Sequence, residues 1–234
     1  MSIIKTKKEL RKEATKLANR IHRNLSNANN CDNVLASLSA FTSFDVNLSH
    51  TNQPQTVTIQ LYKQPLLPEH VLNSCLDLFQ VNMGSLYKQS KWGLNLREKK
   101  EELTHNKAHF LIVSADQQEL AHDFVKGKPL AFAHFRFEVN DDDRPTEEVL
   151  YLYEIQIDSI AQRNGLGRRM MQMMEIVAMQ MKMRKVMLTV FKKNEEALNF
   201  YDQLKYQIDK ISPCQCGEIA DYKIMSKIVS MGEE

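Results

Sequence analysis

The densest chemistry-bearing stretch of the chain is IDSIAQRNGLGRRMMQMM, residues 157–174. The whole sequence carries seven glycines, and two of them, Gly165 and Gly167, stand here one residue apart. Arg163, Arg168 and Arg169 lie beside them. An apolar, strand-like run precedes the pair and a long helical run follows it. A helix N-terminus presents backbone N–H groups without partners and the positive end of the helix dipole. Glycines just before it let an anion approach the backbone. The stretch is therefore a candidate phosphate cradle. It is not a Walker loop, which ends in Gly-Lys-Ser/Thr, because Arg168 follows Gly167. It is not a dinucleotide fingerprint, because the third glycine of that pattern falls at Met170.

Other reactive residues are less organised. Cys31, Cys75, Cys214 and Cys216 are scattered, which is no disulfide framework and fits a reduced, intracellular setting. Cys214 and Cys216 have no second Cys or His pair at ligand spacing, so no metal is expected. His134, inside AFAHFRF, reads as a packed or substrate-contacting side chain rather than a ligand. The seven methionines between Met170 and Met183 read as core filler. With 26% charged residues and a net charge of +2, binding of nucleic acid by bulk charge is not expected. No apolar run is long enough for a membrane span, and MSIIKTKKELRKEATKL reads as neither a secretory signal nor a mitochondrial presequence.

The elements that must position these residues follow from periodicity. Ile3, Leu10, Leu17, Ile21 and Leu25 are spaced for an amphipathic helix, and eight Lys or Arg between Lys5 and Arg23 give it a basic face. That face is either simply solvated or an acidic-partner or nuclear-localisation patch. Residues 26–56 read as a connecting segment with a short helical piece around Val34–Phe41. Strands are expected at 56–62, 109–115, 129–139, 148–157, 185–191 and 221–229, and helices at 70–88, from the glycine turn to about Arg184, and at 194–205 with Asn194 as N-cap. LREKKEELTHN is a charged stretch, and NDDDRPTEE a polar turn between hairpin arms. This order predicts a mixed α/β sheet, mostly antiparallel, with parallel strands across the helix that follows the glycine turn. A division follows: residues 1–55 as a basic helix and connection, residues 56–230 as the main domain.

The hexamer Q-R-N-G-L-G resembles the Gln/Arg-x-x-Gly-x-Gly turn of acetyltransferases of the GNAT superfamily, and NEEALNFY resembles the helix that accompanies it. The resemblance implies the GNAT acyltransferase fold and acetyl-CoA as cofactor. Coenzyme A would lie on the turn of Arg163, Asn164, Gly165, Leu166, Gly167 and Arg168, along Ile155, Gln156 and Ile157, with Asn194 near its arm. SLYKQSKWG, AFAHFRFEV, YLYEIQ and KVMLTVFKKN together are similar to NatD-type N-alpha-acetyltransferases, over about residues 70–229. That similarity implies transfer of acetyl to the free N-terminal amine of histones 4 and 2A, whose tails begin Ser-Gly-Arg-Gly. It implies a peptide site lined by Tyr87, Trp92, Glu138, Tyr151, Tyr153, Thr189 and Tyr222, with Glu154 as general base and Tyr153 as a catalytic partner. It implies histone tails as partners, no direct contact with nucleic acid or membrane, a monomer, and a nuclear and cytoplasmic location. The sequence departs from the pattern at Leu94, where a second tryptophan is common, at Ile211, where a peptide-contacting serine is expected one residue before Ser212, and at Glu138, usually aspartate.

These roles are chemically coherent. The α-amine of a free peptide titrates at about 7.7–8.0, so a modest base suffices to remove one proton. Backbone N–H groups of a splayed or bulged strand near residue 154 can stabilise charge developing on the thioester oxygen. In a regular strand, however, Tyr151 and Tyr153 face one side and Glu154 the other. A bulge is required if all three serve one site. For a basic tail, Glu138, Asp141, Asp142, Asp143, Glu147 and Glu148 are candidate acidic contacts. Two other readings stay open: acetyl transfer to a lysine side chain or polyamine, and a non-catalytic tail-binding module.

Overall fold

The computed structural model describes residues 6–49, 51, 53–115, 128–141 and 145–229. Helix α1 (Lys7–Asn30) leads, followed by β1 (Ser43–Val46), β2 (Gln55–Lys63), α2 (Glu69–Lys88), α3 (Leu96–Leu103), β3 (His109–Ala115), β4 (Ala131–Val139) and β5 (Glu148–Ile157). Then come α4 (Leu166–Gln180), β6 (Lys185–Phe191), α5 (Glu195–Gln203), the two-residue β7 (Gln207–Ile208) and β8 (Tyr222–Ile228). One sheet holds all the described strands, in the order β1-β2-β3-β4-β5-β6-β8-β7. Every neighbouring pair is antiparallel except β5 and β6, which run parallel across the α4 crossover. The mixed, mostly antiparallel sheet expected from the element order is the one that forms.

Both faces of the sheet are covered, and the pleat sorts side chains between two cores. Leu111, Val113, Ala133, Phe135, Phe137, Leu150 and Leu152 join one core with the methionine face of α4. Phe110, Ile112 and Phe132, from alternate positions, join the other with Val71, Cys75 and Phe79 of α2 and Leu103 of α3. Met170, Met171, Met173, Met174 and Met183 are buried, as core filler should be.

Several local readings change. The segment read as a connection has its expected short helical piece as a 3₁₀ turn at Ala36–Phe41, but it also holds β1, and its Val34, Leu35, Leu38, Val46 and Leu48 lie in the first core. Helix α1 runs on to Asn30, because Ala28 and Asn24 continue its buried stripe. Ile3 and Lys5, assigned to that helix from spacing, lie outside the described residues. Asn24 donates to Glu148 Oε1 at 2.6 Å, and Arg20 pairs with Glu148 Oε2 at 3.3 Å. LREKKEEL is a helix capped by Asn95, whose side chain accepts from the N–H groups of Arg97 and Glu98. Helix α4 stops at Gln180 rather than near Arg184, and Lys182 turns the chain with a φ of 59°.

Two buried histidines tie the fold to pH. His109 stacks on Phe135, and burial pushes its imidazole down to about 4. His134 is fully buried between Phe110 and Tyr153, and burial first, then the charge of Arg136, holds it well below the ordinary histidine range. Both are neutral in the folded protein. As pH falls through about 6.5 the unfolded chain takes up protons that the folded chain refuses, so stability is lost between there and the folded-state values. Urea unfolding midpoints are expected to fall from pH 7.5 to pH 5, and His109→Gln is expected to flatten that slope; an unchanged slope excludes His109 as a contributor.

Candidate active site

Strand β5 pairs with β6 only over Val149–Leu152, against Lys185–Leu188. Beyond that point the two strands part, while β6 continues along β8 to Phe191 and β5 continues along β4 to Ile157. A cavity of about 300 Å³ fills the opening. Along β4 the register shifts: Phe135 faces Leu152 and His134 faces Glu154, so Tyr153 is an extra residue in β5. This is a β-bulge, and it reverses the side-chain parity. Before it, Leu150 and Leu152 face the α4 core; after it, Ile155 and Ile157 do. Glu154 therefore turns to the same side as Tyr151 and Tyr153, and all three line the cavity.

The cavity gathers residues far apart in sequence. Tyr87, Trp92, Tyr151, Tyr153, Glu154, Ile155, Gln156, Thr189 and Asn194 all line it. At its mouth Trp92 lies 5.0 Å from both Phe191 and Tyr222, and Tyr87 lies 5.0 Å from Phe191. Trp92 is 49% exposed, an aromatic surface held open to solvent. The backbone N–H of Lys91 donates to Asp221 Oδ2 at 2.8 Å, which fastens the Trp92 turn to the start of β8.

Inside, the polar groups are hydrogen-bonded. Tyr151 and Thr189 share a hydrogen bond of 2.6 Å between hydroxyls. Tyr153 donates to Glu138 Oε2 at 2.7 Å, and Arg136 stacks over its ring at 4.2 Å. Burial, then the charge of Glu138, raises the Tyr153 phenol, so it stays protonated at neutral pH. Glu154, 5% exposed, accepts from Lys99 at 2.8 Å on Oε1 and from Gln156 at 2.7 Å on Oε2. Asn82 of α2 donates to Gln156 Oε1 and to the Ile157 carbonyl, both at 3.1 Å. Tyr201 lines the same cavity, its phenol raised by burial and then by Glu154.

The glycine turn sits at the end of β5. Gly165 takes a φ of 88° and Arg163 a φ of 61°. Gly167 is needed for a different reason, since a Cβ there would meet Ile157 at 3.2 Å and Phe200 at 3.3 Å. Leu166 N–H donates to Asn164 Oδ1, and the first backbone bond of α4 runs from Arg169 to Gly165. The N–H groups of Gly167 and Arg168 thus precede the helical ladder. They offer an anion two donors at a helix of 15 residues, next to the exposed Arg163 and Arg168 side chains. That donor set fits the pyrophosphate of coenzyme A, and the cavity between β5 and β6 fits the thioester end. Arg169 is used elsewhere: it donates to the Phe41 carbonyl and stacks on Phe44 at 3.8 Å. Asn194 caps α5 by accepting from the Ala197 N–H.

Some candidates are diverted. Glu148 is buried against Asn24 and Arg20, and Glu147 pairs with Lys185 at 2.8 Å, so neither faces the cavity. Asp142 and Asp143 lie outside the described residues. Ser212 is fully buried and accepts from the Ile224 N–H, so its hydroxyl is engaged within the fold. Lys99 and Glu102, which also line the cavity, were not singled out by the sequence. They were hidden in a run of charges, where only the helical i, i+3 spacing could have pointed to a shared face.

The fold and this opening define an acyl-CoA-dependent transferase. Residues 75–206 match the model of the acetyltransferase (GNAT) family, and the chain belongs to that family. Among solved structures it is similar to the GNAT domain of S. lividans PAT, at a TM-score of 0.54 and 10% identity over 81% of this chain and 98% of that one. Arabidopsis thaliana NAA60 in complex with acetyl-CoA matches at a TM-score of 0.53 and 8% identity, over 74% of this chain and 98% of that one. A chain of the NatC complex bound to Gag peptide and CoA matches at 0.51 and 12% identity, over 74% of this chain and 99% of that one. The protein is an acetyltransferase that uses acetyl-CoA.

Gly165→Ala forces a Cβ into the left-handed region, at a cost of about 1–2 kcal/mol. The expected result is an acetyl-CoA affinity several-fold weaker, measured by calorimetry, in a protein that still folds. Unchanged affinity would remove the turn from the cofactor site.

Proposed function

We propose that this enzyme acetylates the free N-terminal α-amine of histone 4 and 2A tails, which begin Ser-Gly-Arg-Gly. The observation that carries the reading is the bulge at Tyr153, which sets Glu154 beside Tyr151 and Tyr153 in a cavity whose mouth is aromatic. A polyamine or other small acceptor needs no peptide cleft of this kind, lined at its mouth by Tyr87, Trp92 and Tyr222. The similarity of YLYEIQ, SLYKQSKWG and their companion segments to NatD-type enzymes supports the same choice. So does the fold's likeness to a structure solved with a peptide and CoA.

Acetyl-CoA supplies the acetyl group as a thioester. In this reading Tyr87, Trp92 and Tyr222 hold the first residues of the tail, and Tyr151 and Thr189 shape the wall opposite. Glu154 accepts the amine proton, directly or through a water. Backbone N–H groups of β5 beyond residue 152, on the edge that faces away from β4, are placed to receive developing negative charge. Glu138, bonded to Tyr153, gives the arginine of the tail an acidic partner. The turn from Arg163 to Arg168 holds the cofactor's phosphates. Histone tails as substrate place the enzyme where histones are made and stored, in the cytoplasm and nucleus.

Two peptides test the proposal. One begins Ser-Gly-Arg-Gly-Lys with a free amine; the other has its amine blocked and its lysine free. Mass spectrometry is expected to find acetyl only on the free N-terminal amine. Modification of the blocked peptide would instead make the enzyme a lysine acetyltransferase. Glu154→Gln is expected to lower kcat by about 10²–10⁴, the usual contribution of a general base, with acetyl-CoA binding retained. Undiminished kcat would remove Glu154 from that role.

A further inference from the structure

Lys99 is the anomaly of the site. A lysine is rarely buried, yet this one is 7% exposed, with its ammonium 2.8 Å from Glu154 Oε1 and 2.7 Å from Glu102 Oε1. It lies over the Phe79 ring at 4.8 Å and the Tyr87 ring at 5.4 Å, so both aromatic faces turn toward the charge. Glu102, 30% exposed, belongs to the same helix and to the wall of the cavity. Among the described residues, Lys99 is the cation that lies between the two carboxylates.

We propose that Lys99 is a positioning residue for acetyl transfer: its ammonium bridges Glu154 and Glu102 on the cavity wall, offsets the repulsion between them and acts on the reaction through Glu154. This rests on the reading of Glu154 as the base.

The physical reason is electrostatic. Two carboxylates brought to one partly buried site repel, and without a cation between them they share a proton near neutral pH. A base that already carries a proton cannot accept another. The other charged and titratable groups around Lys99 do not replace it. Tyr87 of α2 and Tyr201 of α5 are neutral phenols, raised by burial first and by Glu154 next. His134 of β4 is neutral, held down by burial. Arg136 of β4 is directed elsewhere, to the Glu102 carbonyl at 2.5 Å and to Glu138 at 3.7 Å. Burial alone would push the Lys99 ammonium down, but Glu154 and Glu102 outweigh it and hold the group above the ordinary lysine value. The group is therefore an ammonium at neutral pH. Gln156 completes the alignment by donating to the opposite oxygen of Glu154, and Asn82 holds Gln156 in turn.

Lys99→Met keeps the length of the side chain and removes the charge. Carboxyl ¹³C NMR titration of the full-length protein comes first, because it needs no acceptor. Wild type is expected to show no shared proton uptake by Glu154 and Glu102 between pH 6 and 8; Lys99→Met is expected to show it. The pH profile of kcat/KM is measured next, on whichever peptide wild type acetylates. The acidic limb is expected to rise by about one pH unit or more in Lys99→Met, with the KM for acetyl-CoA within about threefold of wild type. Lys99→Met/Glu102→Gln, which removes the repelling carboxylate too, is expected to move the limb back and recover activity at neutral pH. Where Lys99→Met alone does not fold, the double variant carries the test, with its limb expected near that of wild type. No proton uptake, an unmoved limb or no recovery in the double variant overturns the proposal. Acetylation of the blocked peptide alone overturns the choice of acceptor while leaving the Lys99 measurement intact.

Discussion

One strand has to satisfy two opposed demands. Strand β5 sits in the middle of the sheet, where every backbone group needs a partner, yet its last residues stay open on the edge toward β6. The chain resolves this by ending the β5–β6 pairing at Leu152 and inserting Tyr153 as a bulge at the same place. Pairing with β4 continues to Ile157, so the open edge remains anchored. Everything else at the site follows from that divergence. The cavity exists because the strands part, and Glu154 reaches it because the bulge reverses the parity of the strand.

The surrounding elements stabilise this opening from both sides. Asn82 of α2 bonds the Gln156 side chain and the Ile157 carbonyl, beyond the reach of β6. Lys99 of α3, on the same face, holds Glu154. Gly167 lets α4 start against Ile157 and Phe200 without a clash, which sets the glycine turn where β5 ends. The N-terminal helix contributes at a distance. Its Asn24 and Arg20 satisfy Glu148 at the entry to β5, and a buried carboxylate left without such partners would cost several kcal/mol.

The electrostatics divide in the same way. On the α2/α3 face lie Lys99, Glu102, Glu154, Arg136, Glu138, His134 and two tyrosines, bonded or stacked on one another. On the α4 face lie methionine, leucine and phenylalanine. A partly dry polar cluster strengthens charge interactions near the cavity, and the apolar cores on both faces supply burial around it. The exposed pair of Arg163 and Glu196 near the turn adds little by comparison.

The sequence by itself determined much of this. Alternating or continuous apolar runs placed six of the eight described strands, and Gly-x-Gly between a strand and a helix marked a candidate phosphate cradle, because local sequence suffices to read either. Asn194 as a cap was equally local. Only the tertiary structure decided the rest. The bulge depends on how Leu152 and Glu154 register against Phe135 and His134, residues of a different strand beyond the hairpin. Lys99 and Glu102 looked like a solvated charge run, because burial of a lysine is decided by the partners that α3 meets across the cavity. Strand β1 is too short to show a period and forms because β2 offers it an edge. Glu147 and Glu148 looked available to a basic substrate, and packing against Lys185 and α1 claimed them first.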